Sequence, residues 1–154
     1  MPERWRRPFA SSPEVRERMR AVARHDTTPE LNLRRALHRL GLRYYVHRRP
    51  LPQLARQADI VFPNAKIAVF VDGCFWHGCP EHGQRVHRIN EWYWPTKIEC
   101  NKARDLDTDA QLTAAGWEAI RVWEHEDAAT AAESIDHAVK YRTRTARSPG
   151  IATK

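Results

Sequence analysis

The chain contains one run of residues that are all apolar, Ile67-Ala-Val-Phe-Val71, and this run leads directly into Asp72 and Gly73. A strand that is apolar at nearly every position is typical of one buried on both faces of a sheet. We therefore predict that residues 66–72 form the central strand of the fold. The reactive side chains that follow should then emerge at its carboxyl end.

Elsewhere in the chain, apolar residues recur with the spacing of further strands and helices. Short stretches of β-branched and aromatic residues bounded by Pro or Gly are typical of strands, whereas apolar residues three and four positions apart are typical of helices. Because the first three strands follow one another closely, we expect them to form a meander. The predicted elements are helices over residues 27–40, 96–115 and 127–142, and strands over residues 43–47, 57–63, 66–72 and 117–123.

The helix predicted over residues 27–40 has both a start signal and a stop signal. Thr27-Thr-Pro-Glu30 is a capping box with an early Pro, an apolar stripe begins at Leu33, and Gly41 follows the last turn. In a capping box the glutamate accepts a hydrogen bond from the backbone N–H of the cap residue. The local pattern therefore assigns a structural role to the glutamate.

The length of 154 residues is enough for one domain with a hydrophobic core and too short for two. We place this α/β domain at residues 25–142. Residues 1–24 are rich in arginine and are predicted to form a basic DNA-binding arm, disordered in part. Residues 143–154 are predicted to be a disordered basic tail.

The chain is strongly basic, with 26 Lys and Arg against 19 Asp and Glu and a formal net charge of +7. This charge favours a polyanionic partner, and nucleic acid is the first candidate; a surplus that serves solubility alone is the alternative. In the arm, arginines can neutralise phosphates, and the unbranched Met19 can insert between base steps. The arm arginines that we assign to DNA binding are Arg16, Arg20 and Arg24.

Composition also bears on where the protein works. The sequence has no apolar run near the length of about 18 residues that a membrane span needs, and its first residues lack the apolar segment of a signal peptide. We therefore expect a cytoplasmic protein without a membrane partner. Three cysteines are too few for a disulfide framework.

Two of the cysteines lie close to histidines. Cys74, Cys79 and His82 offer three ligands within nine positions, which suits a tetrahedral Zn²⁺ if a fourth donor comes from elsewhere. His125 is the candidate, because it would lie beside Cys74 if the third and fourth strands are neighbours in the sheet. Such a site would be structural. The competing donors are His87 and Cys100, and buried cysteines with incidental histidines are the alternative.

Asp59 and His77 are the candidates for chemistry at neutral pH. Asp59 stands among apolar residues at the start of a predicted strand, where a carboxylate is costly to bury without a partner or a metal; a buried structural Asp is the alternative. His77 could be either a metal ligand or a general base near a metal-bound phosphate. Asp59 and the end of the third strand could together hold Mg²⁺, which prefers oxygen donors.

Several segments of the chain resemble the very-short-patch-repair (Vsr) DNA mismatch endonucleases, a branch of the restriction-endonuclease-like superfamily. The order Gly-Cys-Phe-Trp-His is the most specific of them. The resemblance implies a three-layer α/β/α fold around a central mixed β-sheet, with a structural zinc. The matching segments are residues 19–30, Ala58-Asp59, Val71-Asp-Gly-Cys-Phe-Trp-His77, residues 101–105 and residues 116–124.

The resemblance implies a Mg²⁺-dependent endonuclease that nicks one DNA strand beside the thymine of a T·G mismatch, the lesion left when 5-methylcytosine deaminates. The implied partner is double-stranded DNA containing that mismatch, with a functional association with a DNA cytosine methyltransferase. We expect the protein to act as a monomer.

The resemblance also implies roles for individual residues. Asp59 and the backbone carbonyl of Val71 would bind Mg²⁺. His77 would be the general base, with Glu30 assisting it and Asp105 supporting the metal site.

Other residues match positions expected to contact DNA. Met19, Phe75 and Trp76 would insert beside the wobble pair, a step that costs less at a mismatch than in an intact duplex. Lys97, Asn101 and Arg104 are further DNA-binding candidates.

The sequence departs from related patterns at the third strand. The wider superfamily places a Glu-x-Lys there, but Val69-Phe70-Val71 has neither residue, so catalysis would depend on His77. Asp72 stands where another member of the family has histidine, and it could bind metal or cap the turn. Two other hypotheses are a restriction-type nuclease that cuts ordinary duplex and a zinc-stapled DNA-binding module without cutting activity.

Overall fold

A four-stranded mixed sheet forms the centre of the computed structural model, which describes residues 12–14, 16–17, 25–83 and 92–148. The first three strands form the predicted antiparallel meander, and the fourth pairs in parallel with the third. In their order across the sheet the strands are β1 (Tyr45–Arg48), β2 (Ala58–Phe62), β3 (Ile67–Asp72) and β4 (Glu118–Trp123).

The parallel pairing of β3 with β4 determines where the reactive groups meet. Asp72 at the end of β3 lies opposite Trp123 at the end of β4, and the Glu124 amide donates to the Asp72 carbonyl at 3.0 Å. The segments that follow the two strands therefore start from the same edge of the sheet. This meets the condition under which His125 was expected to lie beside Cys74.

Three helices complete the described domain, and their bounds differ from the predicted ones mainly at the last helix. They are α1 (Thr28–Arg39), α2 (Trp94–Ala114) and α3 (Ala128–Arg147). Residues 143–147 are helical, which corrects the prediction that a disordered tail begins at residue 143. Arg142 explains the extension, because its guanidinium donates to the carbonyls of Ala65 and Gly116, each at 2.6 Å, and holds the end of α3 on the domain.

The two faces of β3 are buried against different elements. Its side chains alternate, so that Ile67 and Val69 pack in one apolar cluster and Ala68 and Phe70 in another. The first cluster contains side chains of α1 and α3, and the second contains Leu112 of α2 and the loop between β1 and β2. Helices therefore cover both faces of the sheet, as a strand apolar at nearly every position predicts.

The basic arm is described only in part. Within the described residues, the Arg16 amide donates to the Ser12 carbonyl at 3.1 Å, as in a helical turn. Met19, Arg20 and Arg24 lie outside the described residues. Nowhere in the described chain does a helix combine the length and apolarity that a membrane span requires.

Candidate active site and metal centre

A cleft of about 990 Å³ opens at the carboxyl end of β3, between that strand, the start of α1 and the middle of α2. Ionisable side chains from all three elements line it, and so does Asp59 at the start of β2. The lining includes Glu30, Asp59, Val71, Asp72, His77 and Asp105.

Asp59 is held against β3 by a short hydrogen bond. The Val71 amide donates to Asp59 Oδ2 at 2.7 Å. Burial raises the pKa of Asp59 to about 6; the Val71 hydrogen bond opposes this shift, while the nearby charge of Glu30 adds to it. A carboxylate that is desolvated and close to other acids is a position where a divalent cation would relieve the cost of ionisation.

Glu30 is buried near Asp59, but it does not form the predicted capping box. Its Oε2 accepts from the amide of Asp26 at 3.0 Å and from Arg34 Nη2 at 3.2 Å, and the described structure shows no side-chain cap bond from Thr27. The predicted bond to the cap amide is therefore wrong by one residue. Arg34 holds the carboxylate in place from within α1.

His77 forms the shortest polar contact in the cleft. Its Nδ1 lies 2.6 Å from Asp105 Oδ2 and 3.7 Å from Asp72 Oδ1. Because a carboxylate can only accept, Nδ1 is assigned as the donor in this pair, and in the neutral ring Nε2 then keeps its lone pair. Burial lowers the pKa of His77, but the Asp105 hydrogen bond and the charges of both aspartates outweigh it and raise the pKa overall.

The segment that carries His77 is a compact turn held on several sides. The His77 amide donates to the Gly73 carbonyl at 3.1 Å, and the Cys74 amide donates to Glu124 Oε1 at 3.0 Å. Asn101 Nδ2 donates to the Trp76 carbonyl at 2.7 Å. Asn101 is itself buried, so the structure does not support its predicted DNA contact and makes it a brace for this turn.

Four potential metal ligands meet beside the turn, and they are the four that the sequence indicated. Donor atoms of Cys74, Cys79, His82 and His125 all lie within 4.8 Å of one another. His125 Nδ1 lies 3.0 Å from Cys74 Sγ and 3.7 Å from Cys79 Sγ, while its Nε2 lies 3.6 Å from a carboxylate oxygen of Glu81.

This donor set fits a structural Zn²⁺. Burial raises the pKa of the Cys74 thiol to about 11, with further contributions from Cys79 and Glu124, so a cation is the natural means of ionising it. Glu81 can orient the outer nitrogen of His125. Of the competing donors, Cys100 is exposed and outside the group of four, and His87 lies outside the described residues.

Aromatic rings cluster where the turn meets α2. The ring centroids of Phe75, Trp76 and Trp94 lie 5.1 to 5.5 Å apart in edge-to-face arrangements. Trp76 lines the cleft and is 38% exposed. An exposed aromatic group beside a charged cleft is suited to stacking on nucleic-acid bases.

Comparison with known proteins shows to which family this chain belongs. The family model for DNA mismatch endonuclease Vsr matches residues 11–82. The type II nicking enzyme V.NaeI of Lentzea aerocolonigenes is 46% identical over 121 residues, which cover 76% of this chain and 71% of that enzyme. The chain belongs to the Vsr family. As a Vsr-family protein it is a DNA endonuclease.

Two further relatives support the assignment. The type II nicking enzyme V.XorIIP of Xanthomonas oryzae pv. oryzae is 43% identical over 119 residues, covering 75% of this chain and 83% of that enzyme. The DNA mismatch endonuclease Vsr of Escherichia coli is 33% identical over 106 residues, covering 69% of this chain and 66% of that enzyme.

The remaining predicted DNA contacts of this Vsr-family protein lie on α2. Lys97 and Arg104 are exposed, and Arg104 lines the cleft. Their positions are compatible with phosphate contacts along the helix.

Two arginines that contact carboxylates of the site, Arg34 and Arg121, were not predicted from the sequence. Arg34 contacts Glu30, and Arg121 contacts Asp72 with Nη1 at 3.0 and 3.1 Å from the two carboxylate oxygens. A signal was present for the second: an arginine within the otherwise apolar stretch Ile120–Trp123 indicates a buried ion pair.

We expect Asp59→Asn to stabilise the protein in buffer without added divalent cations. The pKa of Asp59 is raised from 3.8 to about 6, so ionisation of this carboxyl lowers the folding stability. The loss is complete above about pH 6 and absent below about pH 4. Asn removes this cost and still accepts from Val71. The gain should be about 1–2 kcal/mol at pH 7.5, after discounting for partial exposure.

Urea unfolding of both proteins at several pH values measures this difference. The gain should shrink as the pH falls from 7 toward 4, and saturating Mg²⁺ should reduce it at pH 7.5. A variant less stable than the wild type at pH 7.5 without Mg²⁺ would show that the ionised Asp59 carboxylate does not destabilise the fold.

The pH dependence of cleavage should report His77. We expect His77 to be the general base, which acts in its neutral form, so the single-turnover rate should rise with pH through the pKa of His77, above its ordinary value of 6.5. Asp105→Asn removes the charge but keeps an acceptor, so the rise should move to lower pH and the plateau should fall. A rise that moves to higher pH in the variant would show that Asp105 does not act on His77.

Proposed function

We propose that this Vsr-family endonuclease nicks one DNA strand beside the thymine of a T·G mismatch by Mg²⁺-dependent hydrolysis of a phosphodiester. The proposal depends on one observation: a single cleft contains Asp59 and the pair formed by His77 and Asp105. In that pair, His77 Nδ1 lies 2.6 Å from Asp105 Oδ2. The cleft combines an oxygen donor for a metal with a histidine whose outer nitrogen is available for a proton.

His77 is proposed as the general base. With Nδ1 donating to Asp105, Nε2 can take a proton from the water that attacks the phosphorus. Asp105 fixes the tautomer and ring orientation and stabilises the imidazolium that forms, and Asp72 adds a second negative charge 3.7 Å from Nδ1.

Asp59 and the Val71 carbonyl are proposed to hold the catalytic Mg²⁺. The Val71 amide already donates to Asp59 at 2.7 Å, so the residue that would supply the carbonyl is adjacent. When bound, Mg²⁺ supplies positive charge for the scissile phosphate and the leaving oxygen. Glu30, buried nearby and held by Arg34, is placed to assist as an acceptor for a water in the same cleft.

Mismatch recognition is assigned to the aromatic cluster of Phe75, Trp76 and Trp94. Rings packed edge to face can form a stiff wedge, and insertion between bases costs least where pairing is already weak. We propose insertion beside the wobble pair by Phe75 and Trp76, together with Met19 of the arm. Trp94 would support the two inserted rings from α2.

The proposal extends to the finer details of fold and partners. The mixed sheet with helices on both faces supports a restriction-endonuclease-like fold with a structural zinc at the four-donor group. A T·G mismatch arises from deaminated 5-methylcytosine, so the enzyme would work in association with a DNA cytosine methyltransferase. We propose that it acts as a monomer.

A restriction-type nuclease that cuts ordinary duplex is the second candidate. The relatives V.NaeI and V.XorIIP are named nicking enzymes, which favours cleavage of one strand. Family membership likewise disfavours a DNA-binding module without activity. A nicking assay separates the three: T·G and T·A duplexes of one sequence are each incubated with and without added Mg²⁺. Cleavage of the T·G duplex only, and only with added Mg²⁺, supports the proposal. Equal cleavage of the T·A duplex supports the restriction enzyme, and no cleavage of either duplex supports the binding module.

A further inference from the structure

Arg121 lies behind His77 and connects β4 to α2 and β3. Its side chain is 21% exposed, and its guanidinium carbon lies 4.6 Å from the centre of the Phe70 ring. Nε and Nη2 donate to Asp109 of α2 at 2.8 to 3.1 Å. Nη1 donates to both carboxylate oxygens of Asp72 at 3.0 and 3.1 Å. One guanidinium therefore holds a carboxylate at each end.

Arg121 also contacts the second aspartate beside His77. Nη1 lies 3.5 Å from Asp105 Oδ1, and Nη2 donates to the Asp105 carbonyl at 3.3 Å. The other oxygen of the same carboxylate lies 2.6 Å from His77 Nδ1. Both carboxylates that face His77 are thus held from behind by the same side chain.

The arrangement is unlike a second metal site, although Asp72, His77 and Asp105 have donor atoms within 4.8 Å of one another. The guanidinium already lies within 3.5 Å of both carboxylates and supplies the positive charge that a cation would bring. The carboxylates are therefore occupied, and their remaining contacts point at the imidazole.

We propose that Arg121 is a positioning residue for His77, acting through Asp72 and Asp105. This inference rests on the proposed role of His77. The planar fork of arginine directs separate N–H groups at fixed angles to Asp109, to Asp72 and to the Asp105 carbonyl, whereas the three donors of a lysine ammonium all lie on one nitrogen. Without the fork, Asp105 is free to turn, and the imidazole loses the orientation that directs Nε2 toward the phosphate.

The test compares Arg121→Gln and Arg121→Lys with the wild type in single-turnover nicking of a T·G duplex at saturating enzyme. Misplacement of a catalytic group by about 1 Å costs on the order of a hundredfold in rate. We therefore expect Arg121→Gln to lower the rate by about tenfold to a hundredfold, with Arg121→Lys between that variant and the wild type. The dissociation constant for DNA should change by less than about threefold.

A double-variant cycle shows whether Arg121 acts through His77. In the His77→Ala background, Arg121→Gln should lower the residual rate by less than about twofold, because the residue it positions is gone. Arg142→Gln is the matched control: Arg142 also links a helix to backbone carbonyls, but at the far end of α3. It should reduce stability without lowering the rate of the folded protein.

A readout independent of cleavage keeps the inference separate from the proposed function. In NMR spectra, the His77 Nδ1 proton should show a strong hydrogen bond in the wild type and lose it in Arg121→Gln and, in part, in Arg121→Lys. An unchanged Nδ1 signal in either folded variant, or an equal rate loss with and without His77, would overturn the inference. Failure of the wild type to nick any duplex would instead overturn the proposed function.

Discussion

Asp59→Asn is expected to lower the rate of T·G nicking by on the order of a thousandfold. The substitution keeps the side chain's shape and its ability to accept from Val71 at 2.7 Å, but removes the charge that would bind Mg²⁺. A metal contributes several kcal/mol of charge stabilisation in the transition state, and about 4 kcal/mol corresponds to a thousandfold in rate. Single-turnover nicking at saturating enzyme and Mg²⁺ measures the loss.

The matched control for this prediction is Asp136→Asn. Asp136 pairs with Lys140 at 2.6 Å on α3, outside the cleft, so the same chemical change there should leave nicking unaltered. DNA binding by Asp59→Asn should stay within a few-fold of the wild type. An Asp59→Asn variant that nicks at the wild-type rate would remove the carboxylate from the mechanism.

Cys79→Ser is expected to reduce the zinc content from about one per chain to near zero and to destabilise the protein by at least about 3 kcal/mol. Structural zinc contributes its binding free energy to folding, with apparent values of about 10–16 kcal/mol at pH 7 in small zinc domains. Here the loss is partial, because the two apolar clusters on the faces of the sheet remain. Elemental analysis and urea unfolding measure the two effects.

Cys100→Ser provides the control for the zinc prediction. Cys100 is an exposed thiol on α2, outside the group of four donors, so its replacement should leave both zinc content and stability unchanged. Zinc retained by Cys79→Ser, or absent from wild-type protein prepared without chelator, would show that the four donors are not a zinc centre.

A structural element could be predicted from the sequence wherever a single pattern of residues determined it. The apolar run of β3 indicated a strand covered on both sides, and the two cores confirm it. The grouping of His125 with Cys74 depended on β3 and β4 being neighbours, and their parallel pairing meets that condition. The periodicity of the chain supports the first of these predictions, and the order of the strands in the sheet supports the second.

Contacts between residues far apart in the chain could not be predicted in the same way. Asn101 was predicted to contact DNA, but it lies against the packed turn, where its side chain donates to the Trp76 carbonyl. Glu30 had a sufficient local role as a cap. Asp26 and Arg34, which hold its carboxylate instead, are four residues away on either side, and both also contact His47 of β1. Side-chain networks of this kind depend on how helices pack on the sheet, which residue spacing does not specify.

Mapping of the nick on a duplex with both strands end-labelled is a direct test of strand-specific cleavage at a T·G mismatch. The substrate contains one T·G mismatch, and the wild-type protein is assayed with Mg²⁺ in a single turnover. We expect one cut, in the thymine strand at a phosphate beside that thymine, with no cut in the guanine strand and none in a matched T·A duplex. Cuts in both strands, or equal cutting of the T·A duplex, would contradict this expectation.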